Sequence, residues 1–199
     1  HEIRTPLNAI VGFSDLLMVT EDQEEKEEFI QIINANNELL LKLINDILDL
    51  SKIEAGSVEL KYENFDLAVY FNELAASMHR RVVNPQVRLV PVNPYETCTV
   101  RLDKNRLAQI LTNFVTNAIK YTSKGMIEMR YEKIDENIRL YVRDTGIGIP
   151  EDKKDKVFHR FEKLDEFAQG TGLGLSICKA IVEACRGCLL YTSPSPRDA

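Results

Sequence analysis

Apolar side chains recur along residues 1–55 at spacings of four and three. Phe29, Ile33, Leu40, Leu43, Ile47 and Leu50 make one such seam, with Asn36 in its single polar slot. Ile3, Leu7, Ile10, Ser14 and Leu17 make another. This spacing sets one face of a helix against a partner helix, and a polar residue at one slot fixes register at some cost in stability. The pattern predicts a helical hairpin, with Thr20 and Gln23 as a capping box for its second helix and Glu24 to Glu28 near that helix's positive end. A hairpin of this length buries little alone, so two copies joining as a four-helix bundle is the expected way to cover both seams.

The texture changes after Ala55-Gly56-Ser57. Glu59 to Tyr62 reads as a strand, Leu67 to Arg81 as an amphipathic helix, and Val87–Val90 and Thr99–Leu102 as short strands. Asp103 to Tyr121 reads as a long helix, while Met126–Ile134 and Ile138–Arg143 alternate as neighbouring strands do. Glu151 to Gln169 is highly charged yet holds Phe158, Phe161 and Phe167. That mixture predicts a lid closing over a ligand, against the alternative of a fixed surface helix at 151–163. Leu173 to Ala184 is apolar-periodic again. The expected fold class is α+β: a two-helix hairpin, then an α/β sandwich with helices on one face of a mixed sheet.

Composition narrows the function. The 199 residues carry a net charge of −6 and a pI of about 5.2, which argues against a nucleic-acid-binding role. With 44% apolar and 28% charged residues the chain reads as globular. No stretch approaches the ~20 apolar residues of a membrane span, and no leader precedes the first motif, so an intracellular chain is expected. Four irregularly spaced cysteines fit a reducing compartment. Cys185-Arg186-Gly187-Cys188 has redox or zinc spacing without a second ligand pair, and Cys98 and Cys178 read as core residues.

The chemistry concentrates around two glycine clusters, Asp144-Thr145-Gly146-Ile147-Gly148-Ile149-Pro150 and Gly170-Thr171-Gly172-Leu173-Gly174-Leu175-Ser176. Such runs bring backbone N–H groups close to phosphates, and the second leads into a helix N-terminus. Neither is a Walker A loop or a full dinucleotide fingerprint. In the helix upstream, Asn113, Asn117 and Lys120 share one face, with Leu107, Ile110, Leu111, Phe114 and Ala118 assigned to the opposite one. An amide oxygen suits Mg²⁺, and a lysine offsets phosphate charge. Asp144, between an apolar strand and a glycine turn, can accept a hydrogen bond from an exocyclic amine and so favour adenine over guanine. His1 and Thr5 point away from the apolar seam one turn apart, and Pro6 permits a bend beside the histidine. An exposed imidazole is a competent nucleophile near neutral pH.

Together these residues resemble the transmitter core of a two-component sensor histidine kinase. His1-Glu2-Ile3-Arg4-Thr5-Pro6-Leu7 is similar to the family's H box, Asn113 to Lys120 to its N box, and Asp144 to Pro150 to its G1 box. Phe158-His159-Arg160-Phe161 is similar to the F box and Gly170 to Leu175 to the G2 box. The resemblance implies a hairpin for dimerisation and phosphoacceptance over 1–55 and a Bergerat-type ATP-binding domain over 56–186 that lacks its last strands. It leaves 187–199 as a non-family tail, expected to be disordered. It implies His1 as phosphoacceptor, Glu2 as its acidic partner, and Thr5 as an aid to hydrolysis of phosphate on the partner. Asn117 would hold Mg²⁺. Asn113, Lys120, Tyr121, Asp144, Gly146, Gly148, Phe158, Phe161, Gly170, Thr171, Gly172, Leu173 and Gly174 would line the ATP site, with Asp144 on the adenine amine. The implied partners are a second copy and a response-regulator receiver domain. The implied location is cytoplasmic, with anchoring in the inner membrane through upstream segments outside the chain. Other ATPases of this fold, among them type II topoisomerases, a chaperone class and mismatch-repair proteins, lack the hairpin. A dimerisation and docking module without catalysis is the competing expectation.

Overall fold

The computed structural model describes residues 2–57, 59–154, 156–162 and 171–190. The chain forms two compact units. The first comprises His1–Val58 and Lys156–Ala180, the second Glu59–Asp155 and Ile181–Ala199.

The first unit contains the predicted hairpin, α1 (Arg4–Val19) and α2 (Gln23–Glu54). The cap of α2 differs from the expectation. Asp22 is the N-cap, its Oδ1 accepting from the N–H groups of Glu24 at 2.8 Å and Glu25 at 3.3 Å. Thr20 instead ends α1, and its hydroxyl donates to the Glu25 carboxylate at 2.5 Å. An aspartate directly before the first turn satisfies the orphan donors better than a threonine three residues back. The α2 seam is half-buried at Phe29, Ile33, Asn36, Leu40 and Ile47 and fully buried at Leu43 and Leu50. Phe13 and Phe29 meet across the hairpin with ring centroids 5.5 Å apart. Asn36 donates its amide to the carbonyl of Ile32 at 2.8 Å, so its polar group is satisfied within its own helix. In α1, Ile10, Ser14 and Leu17 are half-buried, but Ile3 and Leu7 are exposed and Pro6 is buried instead. Ile3 and Leu7 are thus left uncovered within a single chain. Pro6 lies in the first turn of α1, where its missing N–H has no helical partner to lose.

The second unit starts its first strand later than expected: β1 is Glu63–Asp66, not 59–62. The Lys61 N–H is taken by Asp103 Oδ2 at 2.9 Å, and antiparallel pairing with β3 (Thr99–Leu102) begins only at Glu63 opposite Leu102. Asp66 then caps α3 (Leu67–His79), accepting from Ala68 N–H at 2.9 Å and from Cys98 N–H at 3.0 Å. The main sheet has the order β2 (Val87–Val92), β4 (Gly125–Ile134), β5 (Asn137–Asp144). β2 and β4 are parallel, and β4 and β5 form an antiparallel hairpin whose turn holds Asp135 at φ 53°. Asp tolerates that left-handed geometry better than most residues. α3 and α4 (Lys104–Tyr121) cover one face, burying Leu67, Phe71, Ala75, Met78, Leu107, Leu111 and Val115 against Val87, Leu89, Ile127, Met129 and Tyr131. A mixed sheet with helices on one side is the predicted sandwich.

Between the units' segments, Glu151–Lys153 makes one 3₁₀ turn and further turns follow to residue 161. The alternative of a helix across 151–163 is not what forms in the described part. Phe167 and the rest of 163–169, on which the lid expectation partly rests, lie outside the described residues, as does the tail from 191 onward. The final helix, α5 (Gly174–Ala184), follows the second glycine cluster.

Candidate functional site

Among the nucleotide-site candidates of the second unit, Tyr121, Asp144 and Gly146 meet at the C-terminal end of α4, while Asn113 and Asn117 lie along that helix. Asp103 fixes this helix at its start: Oδ1 accepts from the N–H groups of Asn105 and Arg106, each at 3.0 Å. α4 buries Leu107, Leu111, Val115 and Ala118. Ile110 and Phe114, assigned from sequence to the core face, are only half-buried. At spacings of three and four they belong with half-buried Asn113 and Asn117. The face offered by α4 is therefore part amide and part apolar. Lys120 is exposed, its Nζ 4.9 Å from the centre of the Tyr121 ring.

Asp144 ends β5, and its Oδ1 accepts from the Gly146 N–H at 2.9 Å. The turn it starts lies against the end of α4, where Ile147 N–H donates to the Tyr121 carbonyl at 3.2 Å. Gly146 is required by this approach. A Cβ there would stand 2.3 Å from the Tyr121 oxygen and 2.9 Å from Thr122 Oγ1. Thr122 is only 2% exposed, and its hydroxyl has no hydrogen-bond partner among the described residues. A buried, unsatisfied hydroxyl costs free energy, so one kept beside a carboxylate and a glycine turn suits a ligand that offers hydrogen-bonding atoms of both kinds, as the adenine edge does. Gly148 follows at φ 68°.

The remaining candidates belong to the first unit. Phe158 is half-buried, and Phe161 is 47% exposed at φ 62°. The Phe161 N–H donates to the Gly172 carbonyl at 3.0 Å. Gly172 has φ 67°, and a Cβ on it would fall 2.8 Å from the Phe161 Cα. Thr171 Oγ1 donates to Asp46 Oδ2 of α2 at 3.0 Å and accepts from the Leu173 N–H at 3.2 Å. Burial pushes the Asp46 carboxyl up; the Thr171 bond and Lys42 pull it down, and Asp49 pushes it up further. Leu173 is fully buried and Gly174 opens α5. Thr5 is exposed near the start of α1 and Glu2 is half-buried. His1 and Gly170 lie outside the described residues. Asp46, Asp103 and Thr122 were missed from sequence. Asp103 alone carried a signal, as an acidic residue directly before a periodic helix.

Cys98 and Cys178 are buried as expected. Burial raises the Cys185 thiol's pKa, and Tyr62 is its hydrogen-bond partner. No helix among the described residues is long and apolar enough to cross a membrane.

Two family models match. Residues 1–56 match the His Kinase A (phospho-acceptor) domain, and residues 102–199 match the histidine kinase-, DNA gyrase B- and HSP90-like ATPase. The chain belongs to the sensor histidine kinase family. Hybrid signal transduction histidine kinase L of Dictyostelium discoideum is 38% identical over 92% of this chain and 11% of its own length. This histidine kinase core is also similar to full-length ShkA, solved with AMPPNP, at 31% identity and TM-score 0.70 over 92% of this chain and 39% of that one. The complex of histidine kinase ThkA with response regulator TrrA matches at 29% identity and TM-score 0.72, covering 94% of this chain and 53% of that one. The chain spans about a tenth to a quarter of the length of its curated relatives.

Proposed function

We propose that this chain is the catalytic core of an ATP-dependent protein-histidine kinase, phosphorylating itself on His1 and relaying the group to a response-regulator aspartate. The observation that carries this reading is the junction of α4 with the first glycine cluster. There Asp144, Gly146 and the unpaired Thr122 hydroxyl meet, in a chain whose opening residues match a phosphoacceptor family. Asp144 accepts from the adenine amine. Asn113, Lys120 and Tyr121, with Gly148, Phe158, Phe161, Gly170, Thr171, Gly172, Leu173 and Gly174, are the further residues assigned to nucleotide binding. The Asn117 amide oxygen is the protein ligand for Mg²⁺, and a neutral oxygen donor beside phosphates fits that hard cation. When bound, Mg²⁺ neutralises charge on the phosphates.

In the transfer, a His1 ring nitrogen bonds to the γ-phosphorus as the bond to the β-phosphate oxygen breaks, and Glu2 takes up the imidazole proton. Positioning and charge neutralisation supply most of the rate. Thr5 would assist the reverse duty, hydrolysis of the partner's phosphate. A homodimer would cover apolar side chains left exposed on the hairpin: Ile3 just before α1, Leu7 and Val11 on α1, and Ile30, Leu41, Ile44 and Leu48 on α2. The receiver domain as second partner is supported by the ThkA–TrrA complex. The setting proposed is cytoplasmic, in a longer protein anchored in the inner membrane.

His1→Gln tests the proposal. Acid-labile, base-stable phosphate should disappear while binding of an ATP analogue is kept; phosphate that survives the substitution would sink the assignment. A dimerisation and docking module without catalysis draws support from one observation: the outer edge of β5 pairs with no strand among the described residues. Absence of ATP binding by the purified chain would decide for it.

A further inference from the structure

Asp46 lies on α2 between Leu43 and Leu50, the two buried residues among those described in that helix. The spacing 43, 46, 50 makes one stripe, so the carboxylate sits in a mainly apolar strip. Its Oδ2 receives the hydroxyl proton of Thr171 at 3.0 Å, and Thr171 is itself only 4% exposed. The threonine's one donor is thus committed to α2, and its oxygen already accepts from the Leu173 N–H. Two further ties hold the turn: Phe161 N–H to Gly172 carbonyl, and Ser176 Oγ to Leu173 carbonyl at 2.8 Å. The second glycine cluster is therefore fixed by a side chain from the hairpin as well as by its own backbone.

We propose that Asp46 is a positioning residue for the nucleotide site that acts through Thr171: it withholds the threonine hydroxyl, and nucleotide phosphate must displace it. The inference rests on the ATP reading above. Two physical facts make the states exclusive. A hydroxyl has one proton to donate, and it cannot serve a carboxylate and a phosphate at once. A carboxylate within hydrogen-bond reach of a site for a triphosphate also repels it. Linkage then works both ways: releasing Asp46 favours nucleotide, and nucleotide loosens Thr171 from α2 by the same factor.

The experiment is calorimetric titration of the full chain with a non-hydrolysable ATP analogue and Mg²⁺, on Asp46→Ala, Asp46→Asn, Thr171→Val and Asp46→Ala/Thr171→Val. Asp46→Ala should tighten binding roughly five- to tenfold, the scale of one hydrogen bond released to the ligand. Asp46→Asn, which keeps an acceptor and loses the charge, should fall between. In the double variant the Asp46 effect should vanish, because the hydroxyl through which it acts is gone. Hydrogen exchange at residues 171–176 without nucleotide should quicken in Asp46→Ala. Unchanged or weaker binding in both Asp46 variants, with unfolding transitions like the parent's, would overturn the proposal. So would an Asp46 effect that persists when Thr171 is valine. If Asp46→Ala does not fold, Asp46→Asn carries the test alone, since equal affinity to the parent would refute it. Failure of the unsubstituted chain to bind nucleotide would refute the ATP reading itself, a result seen before any variant is made.

Discussion

The two glycine clusters look alike in sequence and are held by different means. The first is secured locally: Asp144 closes on Gly146 two residues away, and the turn leans on the end of α4 through the Tyr121 carbonyl. The second is secured at a distance, by Asp46 across 125 positions of sequence and by the backbone of Phe161. A locally closed turn carries its own geometry wherever the chain places it. A turn held by a remote side chain has a geometry that something else can change.

The largest effect separating them should come from alanine in the second cluster. Gly172→Ala must adopt a left-handed φ and push a Cβ into the Phe161 backbone, which has no side-chain freedom to yield. A loss of about 2–4 kcal/mol is expected, read by chemical denaturation. Gly146→Ala should cost less, about 1–3 kcal/mol, since its conflict is steric and its φ is not left-handed. A larger loss for Gly146→Ala would reverse the comparison.

These differences track what could be read in advance. The hairpin, both sheet strands of the β4–β5 pair, α4 and the positions of the glycine clusters followed from period and turn residues, because those signals are local. The start of β1 was misread since its register is set by Asp103 and Asp66, whose partners are distant in sequence. Ile110 and Phe114 were misplaced because apolar character alone does not say which side of α4 meets the sheet. Thr122 gave no sign at all: a threonine after a tyrosine becomes informative only when burial leaves its hydroxyl unmatched.

That hydroxyl gives the next prediction in size. Thr122→Val should leave the nucleotide-free protein as stable or more so, by up to about 1 kcal/mol, because an unsatisfied polar group is removed from a buried place. ATP-analogue affinity should fall in the same variant. Lower stability with unchanged affinity would mean that the hydroxyl serves the fold.

The smallest effect concerns pH and belongs to the second cluster alone. Burial raises the Asp46 carboxyl above its ordinary 3.8, so the folded state holds that proton more tightly than the unfolded chain. The associated stability is present below 3.8 and is lost as pH rises through the raised value. Stability to chemical denaturation should decline across that window, and Asp46→Asn should flatten the decline. A rise with pH would contradict the sign.

The 125-residue reach of the Asp46–Thr171 bond also has a meaning in time. The residues of α1 and α2 have all been made once residue 54 has been added. At roughly 5–20 residues per second of synthesis, Thr171 follows Asp46 by about 6–25 s. Through that interval Asp46 exists without the Thr171 hydroxyl that it accepts from in the folded chain. Residues 59–155 of the second unit are all made before the segment that holds Thr171. A second hairpin from a neighbouring ribosome could meet the exposed apolar surface first, so partner choice between copies can be made before either chain has a completed second glycine turn.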